Sequence, residues 1–151
     1  RLDEADSTLA RVFRLDPNFP QALWILGQVR MEQKRYPEAI AAIRRSLELG
    51  GFVSQIASGL VAVYARSGDR ARATALLDSL TVRTAHEYVP PYAFAVAYAN
   101  LGDLDHAFAF LERGIKERDG LMPEGFFDVL LDPLKRDPRY ERVAGVMRGR
   151  D

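Results

Sequence analysis

LVAVYARSGDRARA (residues 60–73) is answered, 34 residues on, by FAVAYANLGDLDHA (residues 94–107). Tyr64 pairs with Tyr98, Gly68 with Gly102, Asp69 with Asp103 and Ala73 with Ala107. Upstream, the same spacing finds Leu26 before Leu60 and Phe94, Gly27 before Val61 and Ala95, and Arg30 before Tyr64. The alanine row extends back through Ala39 to Ala5. Four residues after each alanine stands a large aliphatic: Leu9, Ile43, Leu77 and Leu111. Several positions recurring together at one fixed period mark a stacked array of small structural units. Lys34 is the odd member, standing where Gly68 and Gly102 stand in the later copies.

Each period reads as two helices. Ala22, Leu23, Leu26, Val29 and Met31 fall near helical spacing in residues 21–33, and Ala39, Ile40, Ile43 and Leu47 do so in residues 37–49. The short Lys34-Arg35-Tyr36 link makes the two helices antiparallel. Gly68 and Gly102 suit a left-handed helix end, and Asp69 and Asp103 suit the cap of the next helix. The recurring alanine marks a close helix crossing, where a larger side chain would overpack. Residues 93–99 alternate large and small, which locally resembles a strand. The period puts Phe94, Ala95, Tyr98 and Leu101 on one helical face instead, and Pro90 and Pro91 suit a helix's first turn. The reading is a helix.

This pattern resembles the tetratricopeptide repeat (TPR) family, whose unit runs W-x2-L-G-x2-Y…A-x3-F…P. The resemblance implies an all-α, right-handed superhelix of antiparallel helix pairs with a C-terminal helical cap. In register, residues 1–19 are the second half of a truncated unit, 20–53, 54–87 and 88–121 are full units, and 122–151 are capping helices. Departures are clear. The family's tryptophan position holds Leu23, Ala57 and Pro91, with Trp24 one place late, and its closing proline survives as Pro17. The run at 132–140 is similar to the tail that closes TPR segments in larger bacterial regulators.

In that tail, residues 123–131 read as one helix, and Asp132-Pro133 and Asp137-Pro138 each read as an N-cap followed by proline at N1. Tyr140, Val143, Val146 and Met147 line one face of a final helix. A solenoid's last unit needs a cap with a polar outer side. The tail is therefore expected to pack on the second helix of unit 88–121, near Leu111 and Ile115. The rival is that Phe126 and Phe127 turn into the groove and plug it.

The 151 residues carry 21 Lys+Arg against 21 Asp+Glu, 48% hydrophobic residues and no cysteine. Zero net charge argues against a broad nucleic-acid or anionic-lipid footprint. No apolar run approaches the ~18 residues of a membrane span. Without cysteine there is no disulfide, zinc knuckle or thiol nucleophile. That absence fits any compartment; a cytoplasmic location is the expectation. A start at Arg1, with neither Met nor signal peptide, reads as part of something longer.

Catalytic constellations are missing. His86 lies in a link between units, and His106 precedes a core alanine and should face solvent. Glu124, Asp128 and Asp132 share i, i+4, i+8 spacing but read as a solvated acidic face and a cap. Gly50-Gly51 ends a helix and lacks the surroundings of a phosphate loop. No G-x-S-x-G turn accompanies Ser54, Ser58 or Ser67. RNA-reading repeats of similar length need a basic groove, and here Arg66 is the clearest inner-face cation. The chain reads as no enzyme, with no cofactor and no metal.

What the resemblance does imply is a surface. In the family, positions 2, 5, 9, 12 and 13 of each unit line a concave groove. Carried over, these are Gln21, Trp24, Gln28, Met31 and Glu32, then Gln55, Ser58, Ala62, Ala65 and Arg66, then Val89, Tyr92, Val96, Ala99 and Asn100. Trp24 and Tyr92 are the residue types that dominate binding hot spots. The family's carboxylate clamp is absent, since Trp24, Gln28, Gly59, Gln55 and Ala93 stand in its place. The reading is a module that binds a peptide or helix of a partner protein. The alternative is an in-cis regulatory segment of a larger bacterial kinase, cyclase or transcription regulator. Leu2, Ala5, Leu9 and Val12 form an apolar stripe that invites an upstream helix or self-association with a second copy.

Overall fold

The computed structural model describes residues 1–122 and 129–149. Its elements are α1 (Leu2–Leu15), α2 (Pro20–Glu32), α3 (Tyr36–Gly50), α4 (Ser54–Arg66), α5 (Arg70–Arg83), α6 (Pro91–Leu101), α7 (Leu104–Glu117), a 3-10 segment (Val129–Leu134) and α8 (Pro138–Met147). No strand occurs among the described residues. The stretch that resembled a strand lies in α6.

The period is written into the helix boundaries. Helices α3, α5, α7 and α8 begin at residues 36, 70, 104 and 138. Asp69, Asp103 and Asp137 cap the last three, accepting from the backbone N–H groups of Arg72, His106 and Arg139 at 3.1, 3.2 and 2.9 Å. Such a cap satisfies one of the N–H groups that a helix start leaves unpaired. At the turns before α5 and α7, Gly68 and Gly102 take φ of +91° and +85°. Lys34 takes +59° at the same place before α3, a conformation that penalises any residue with a Cβ.

Helices pair as α2/α3, α4/α5 and α6/α7, and α4 also packs on α3 and α6. Ala39, Ala73 and Ala107 are completely buried at the crossings. Along the row of first helices the spacing is uneven, with α4 and α6 closely apposed and α2 and α4 held apart. The spacer is Trp24. Its indole lies on Gly59, where an added Cβ would sit 2.2 Å from Cη2. On the outer side, His106, Tyr98, Phe110 and Phe94 stack in series, with centroids 5.0, 5.6 and 4.8 Å apart. His106 is exposed and its Nδ1 lies 2.7 Å from Asp103 Oδ2.

One core runs from Trp24 to Ala144, and a satellite of Leu9, Ala22 and Val29 joins α1 to α2. The α1–α2 joint is reinforced by Asp6, which accepts from Arg30 Nη1 at 2.6 Å and Gln33 Nε2 at 3.0 Å. These two bonds, the Arg30 one foremost, hold the Asp6 carboxyl below its ordinary range.

The tail corrects two expectations. No helix restarts at Asp132-Pro133: both residues lie inside the 3-10 segment Val129–Leu134, and Asp132 pairs with Lys135. Proline's fixed φ and missing N–H are tolerated in so short a turn. Nor does the whole tail sit on α7. The 3-10 segment packs on α6, with Leu130, Leu131 and Leu134 at 1%, 0% and 0% exposure. Helix α8 does lie on α7, with Val143 and Val146 beside Ile115. Arg142 reaches Glu112 at 3.2 Å, and Arg139 reaches Asp105 at 2.7 Å and lies over the Phe108 ring. Tyr140 and Val143 are buried as expected, whereas Val146 is 41% exposed. Phe126, Phe127, Glu124 and Asp128 lie outside the described residues.

Candidate functional site

Position 13 of the three full units carries Glu32, Arg66 and Asn100, each at or next to the end of its helix. Stacking the units lines these side chains up. Arg66 Nε donates to Asn100 Oδ1 at 2.8 Å, and Arg66 Nη1 lies 3.4 Å from Glu32 Oε1. The same two residues reach the tail. Arg66 Nη2 donates to the Val129 carbonyl and Asn100 Nδ2 to the Leu130 carbonyl, both at 2.8 Å, while Asn100 also donates to the Val96 carbonyl at 2.8 Å. Side-chain donors of successive units thus hold the main chain of a leucine-rich segment. A guanidinium suits this task because its several N–H donors point in fixed directions.

The remaining candidates divide by burial. Gln21 is exposed, and Gln28, Gln55, Arg66 and Asn100 are half-buried. Ser58, Ala62, Tyr92 and Val96 are fully buried, and Val89 nearly so. Ser58 Oγ donates to the Gln55 carbonyl at 2.7 Å, which satisfies it inside α4. Trp24 is 9% exposed and Tyr92 0%. Their aromatic surface is already spent on packing, so neither is an open anchor for a partner. The reason for Trp24 is local: Gly59 lacks a Cβ and receives the ring.

Two features escaped the sequence reading. Asp119 is buried at 6% exposure and accepts from the N–H groups of Tyr92 and Leu121 at 2.9 and 3.0 Å, capping α6 from a loop beyond α7. No spacing rule connects residues 92 and 119. The second is a groove between α1 and α2, of about 470 Å³, where Phe19 and Ile25 join the expected stripe of Ala5, Leu9 and Val12. Ile25 escaped notice because its counterparts, Gly59 and Ala93, are small.

Among the described residues, no group of three or more His, Asp or Glu side chains is placed to hold a metal ion. No helix among them is long and apolar enough to cross a membrane.

Helix pairs at a 34-residue period, alanines at the crossings and a shared rung at position 13 describe one architecture. Two tetratricopeptide repeat family models match the chain, one over residues 1–53 and another over residues 92–119, together more than half of it. The chain belongs to the tetratricopeptide repeat family. A search of curated proteins gave no match. TPR arrays are non-catalytic scaffolds for protein–protein interaction. In this TPR array the far end of the row of first helices is covered by the chain's own segment 129–134.

Proposed function

We propose that this TPR array binds a segment of a partner protein on its concave surface, toward the α2 and α4 end. Gln21, Gln28, Gln55 and Glu32 supply the polar contacts there, and Arg66 and Asn100 close the site beside the tail. The buried Ser58, Ala62, Val89, Tyr92 and Val96 act indirectly, by fixing the spacing of the helices that carry these groups. Trp24 belongs with them.

One observation carries this reading: Arg66 and Asn100 already grip the carbonyls of Val129 and Leu130, a short apolar stretch of peptide. Amide and guanidinium groups on a helical scaffold recognise main chain, which every partner segment offers, and neighbouring pockets then select side chains. Glutamine serves equally as donor and acceptor, so Gln28 and Gln55 fit both faces of a peptide bond.

The test is selection from a displayed peptide library against the purified chain, followed by affinity measurement on variants. Gln28→Ala with Gln55→Ala should weaken the selected peptides about tenfold or more, with an unchanged circular dichroism spectrum. Val82→Ser, an exposed change on α5, should leave affinity unaltered. Peptides that bind both variants like the parent would overturn the reading.

A further inference from the structure

Residues 81–88 change the chemistry of the repeat while keeping its frame. In the preceding unit the same register positions hold Leu47, Gly50, Val53 and Ser79, and Leu47 packs on the core with Leu60, Tyr64 and Leu76. One period later they are Thr81, Thr84, Glu87 and Arg113, and a pocket of about 360 Å³ lies there, between the end of α5, the link to α6, and α7. That volume is in the range of small-molecule sites. The fold folds without two hydroxyls, a carboxylate and a guanidinium at this place, as the preceding unit demonstrates.

The bed of the pocket is aromatic, made by Phe94, Tyr98 and Phe110. Phe110 is stacked between Phe94 and Tyr98, and Tyr98 between Phe110 and His106, at interplanar angles of 23°, 12° and 21°. With their faces taken, Phe110 and Tyr98 offer the pocket their rims. A ring rim is the positive part of the aromatic quadrupole and favours the face of another ring.

The two sides take opposite hydrogen-bonding roles. Thr81 Oγ1 donates to the Leu77 carbonyl at 3.1 Å and Thr84 Oγ1 to the Thr81 carbonyl at 2.6 Å, so toward a guest each hydroxyl only accepts. Glu87 accepts as well, and its Oε1 is held by Arg83 Nη1 at 2.5 Å. On the α7 side, Glu117 Oε1 steadies Arg113 through Nε at 2.7 Å, which leaves the Nη groups to donate. Arg83 and Glu117 do not line the pocket, so each charge is positioned from outside it. Three acceptors match an ammonium, a guanidinium matches a carboxylate, and the ring rims match an aromatic side chain.

We propose that this pocket binds a free aromatic α-amino acid, its ammonium on Thr81, Thr84 and Glu87, its carboxylate on Arg113 and its ring on Phe110 and Tyr98. Of the concave candidates only the buried Val89 reaches the pocket wall. Gln21, Gln28, Gln55, Arg66 and Asn100 do not line it, so the proposal does not rest on the concave reading.

Phenylalanine is the probe, titrated into the purified chain by calorimetry and NMR. It should bind saturably at one site, moving the backbone amide signals of residues 81–88 and leaving the side-chain amides of Gln28 and Gln55 unmoved. Phenethylamine, which lacks the carboxylate, and hydrocinnamate, which lacks the ammonium, should each bind about tenfold more weakly or worse. Arg113→Gln should weaken phenylalanine by a similar factor and leave phenethylamine unchanged. Glu87→Gln should weaken phenylalanine and phenethylamine without weakening hydrocinnamate. Both positions are exposed, and circular dichroism on each variant checks the fold. No saturable binding of phenylalanine, tyrosine or tryptophan would overturn the proposal. So would analogues that bind as well as phenylalanine, or affinities that both variants leave unchanged.

Discussion

Arg66 Nε donates to Asn100 Oδ1 at 2.8 Å, so two side chains 34 residues apart meet across α4 and α6 and together hold the carbonyls of Val129 and Leu130. This contact joins the repeat to its tail. It makes the same groups structural at one end of the surface and suited to recognition at the other.

Removing the donor should loosen the tail first. Arg66→Ala deletes bonds to Asn100 and to the Val129 carbonyl in a half-buried setting, a loss of about 1.5–3 kcal/mol for charged hydrogen bonds. Urea unfolding measures the cost, and hydrogen exchange should show faster exchange in residues 129–147 than in α2 and α3.

Trp24, the chain's single tryptophan, reports on its own packing. Gly59→Ala puts a methyl group 2.2 Å from the indole, so the ring must move, at about 1–3 kcal/mol, and its fluorescence should red-shift. Trp24→Ala should cost more, about 3–5 kcal/mol, by leaving a void between α2 and α4. Thermal unfolding of both variants checks the order.

Much of the fold was legible because repetition averages out local ambiguity. Ala39, Ala73 and Ala107 are all wholly buried, and the strand-like run at 93–99 is helical because its counterpart at 59–65 is. The site was legible only in part. Position within a unit says which way a residue starts out, but not what the next helix presents to it. Trp24 is buried because Gly59 happens to be small, and the period holds no record of that pairing. The tail misled for a related reason. Glu141 stands where the period wants alanine, and Ala144 is the buried small residue instead, so the repeat seemed to stop although α8 keeps the 34-residue start. Leu130, Leu131 and Leu134 fit an α-helix as well as the 3-10 turn they adopt.

Lys34→Gly should stabilise the protein. The left-handed backbone at φ +59° costs a side-chain-bearing residue about 1–2 kcal/mol, against roughly 0.5–1 kcal/mol of extra chain entropy for glycine. A net gain of about 0.5–1 kcal/mol is expected, read as a rise in Tm. Gly68→Lys, the reverse exchange one unit on, should lower it.

Acid should weaken the attachment of α8. The Arg139 side chain, and then its backbone N–H, hold the Asp137 carboxyl down from the ordinary 3.8 to about 2. A carboxyl lowered in the folded state contributes stability that is complete above its unfolded value and vanishes as pH falls through the folded one. Stability should therefore decline from about pH 4 toward pH 2. Asp137→Asn, which keeps a capping oxygen, should lower Tm at neutral pH and flatten that decline.

The central claim is that the open part of the concave surface receives the partner. Chemical-shift mapping of the isotope-labelled chain, titrated with a library-selected peptide, tests it most directly. The side-chain amide signals of Gln21, Gln28 and Gln55 should move together and saturate at one stoichiometric equivalent, with α5 and α7 undisturbed. Shifts confined to residues 81–88 on the outer side, with those glutamine amides unmoved, would contradict it.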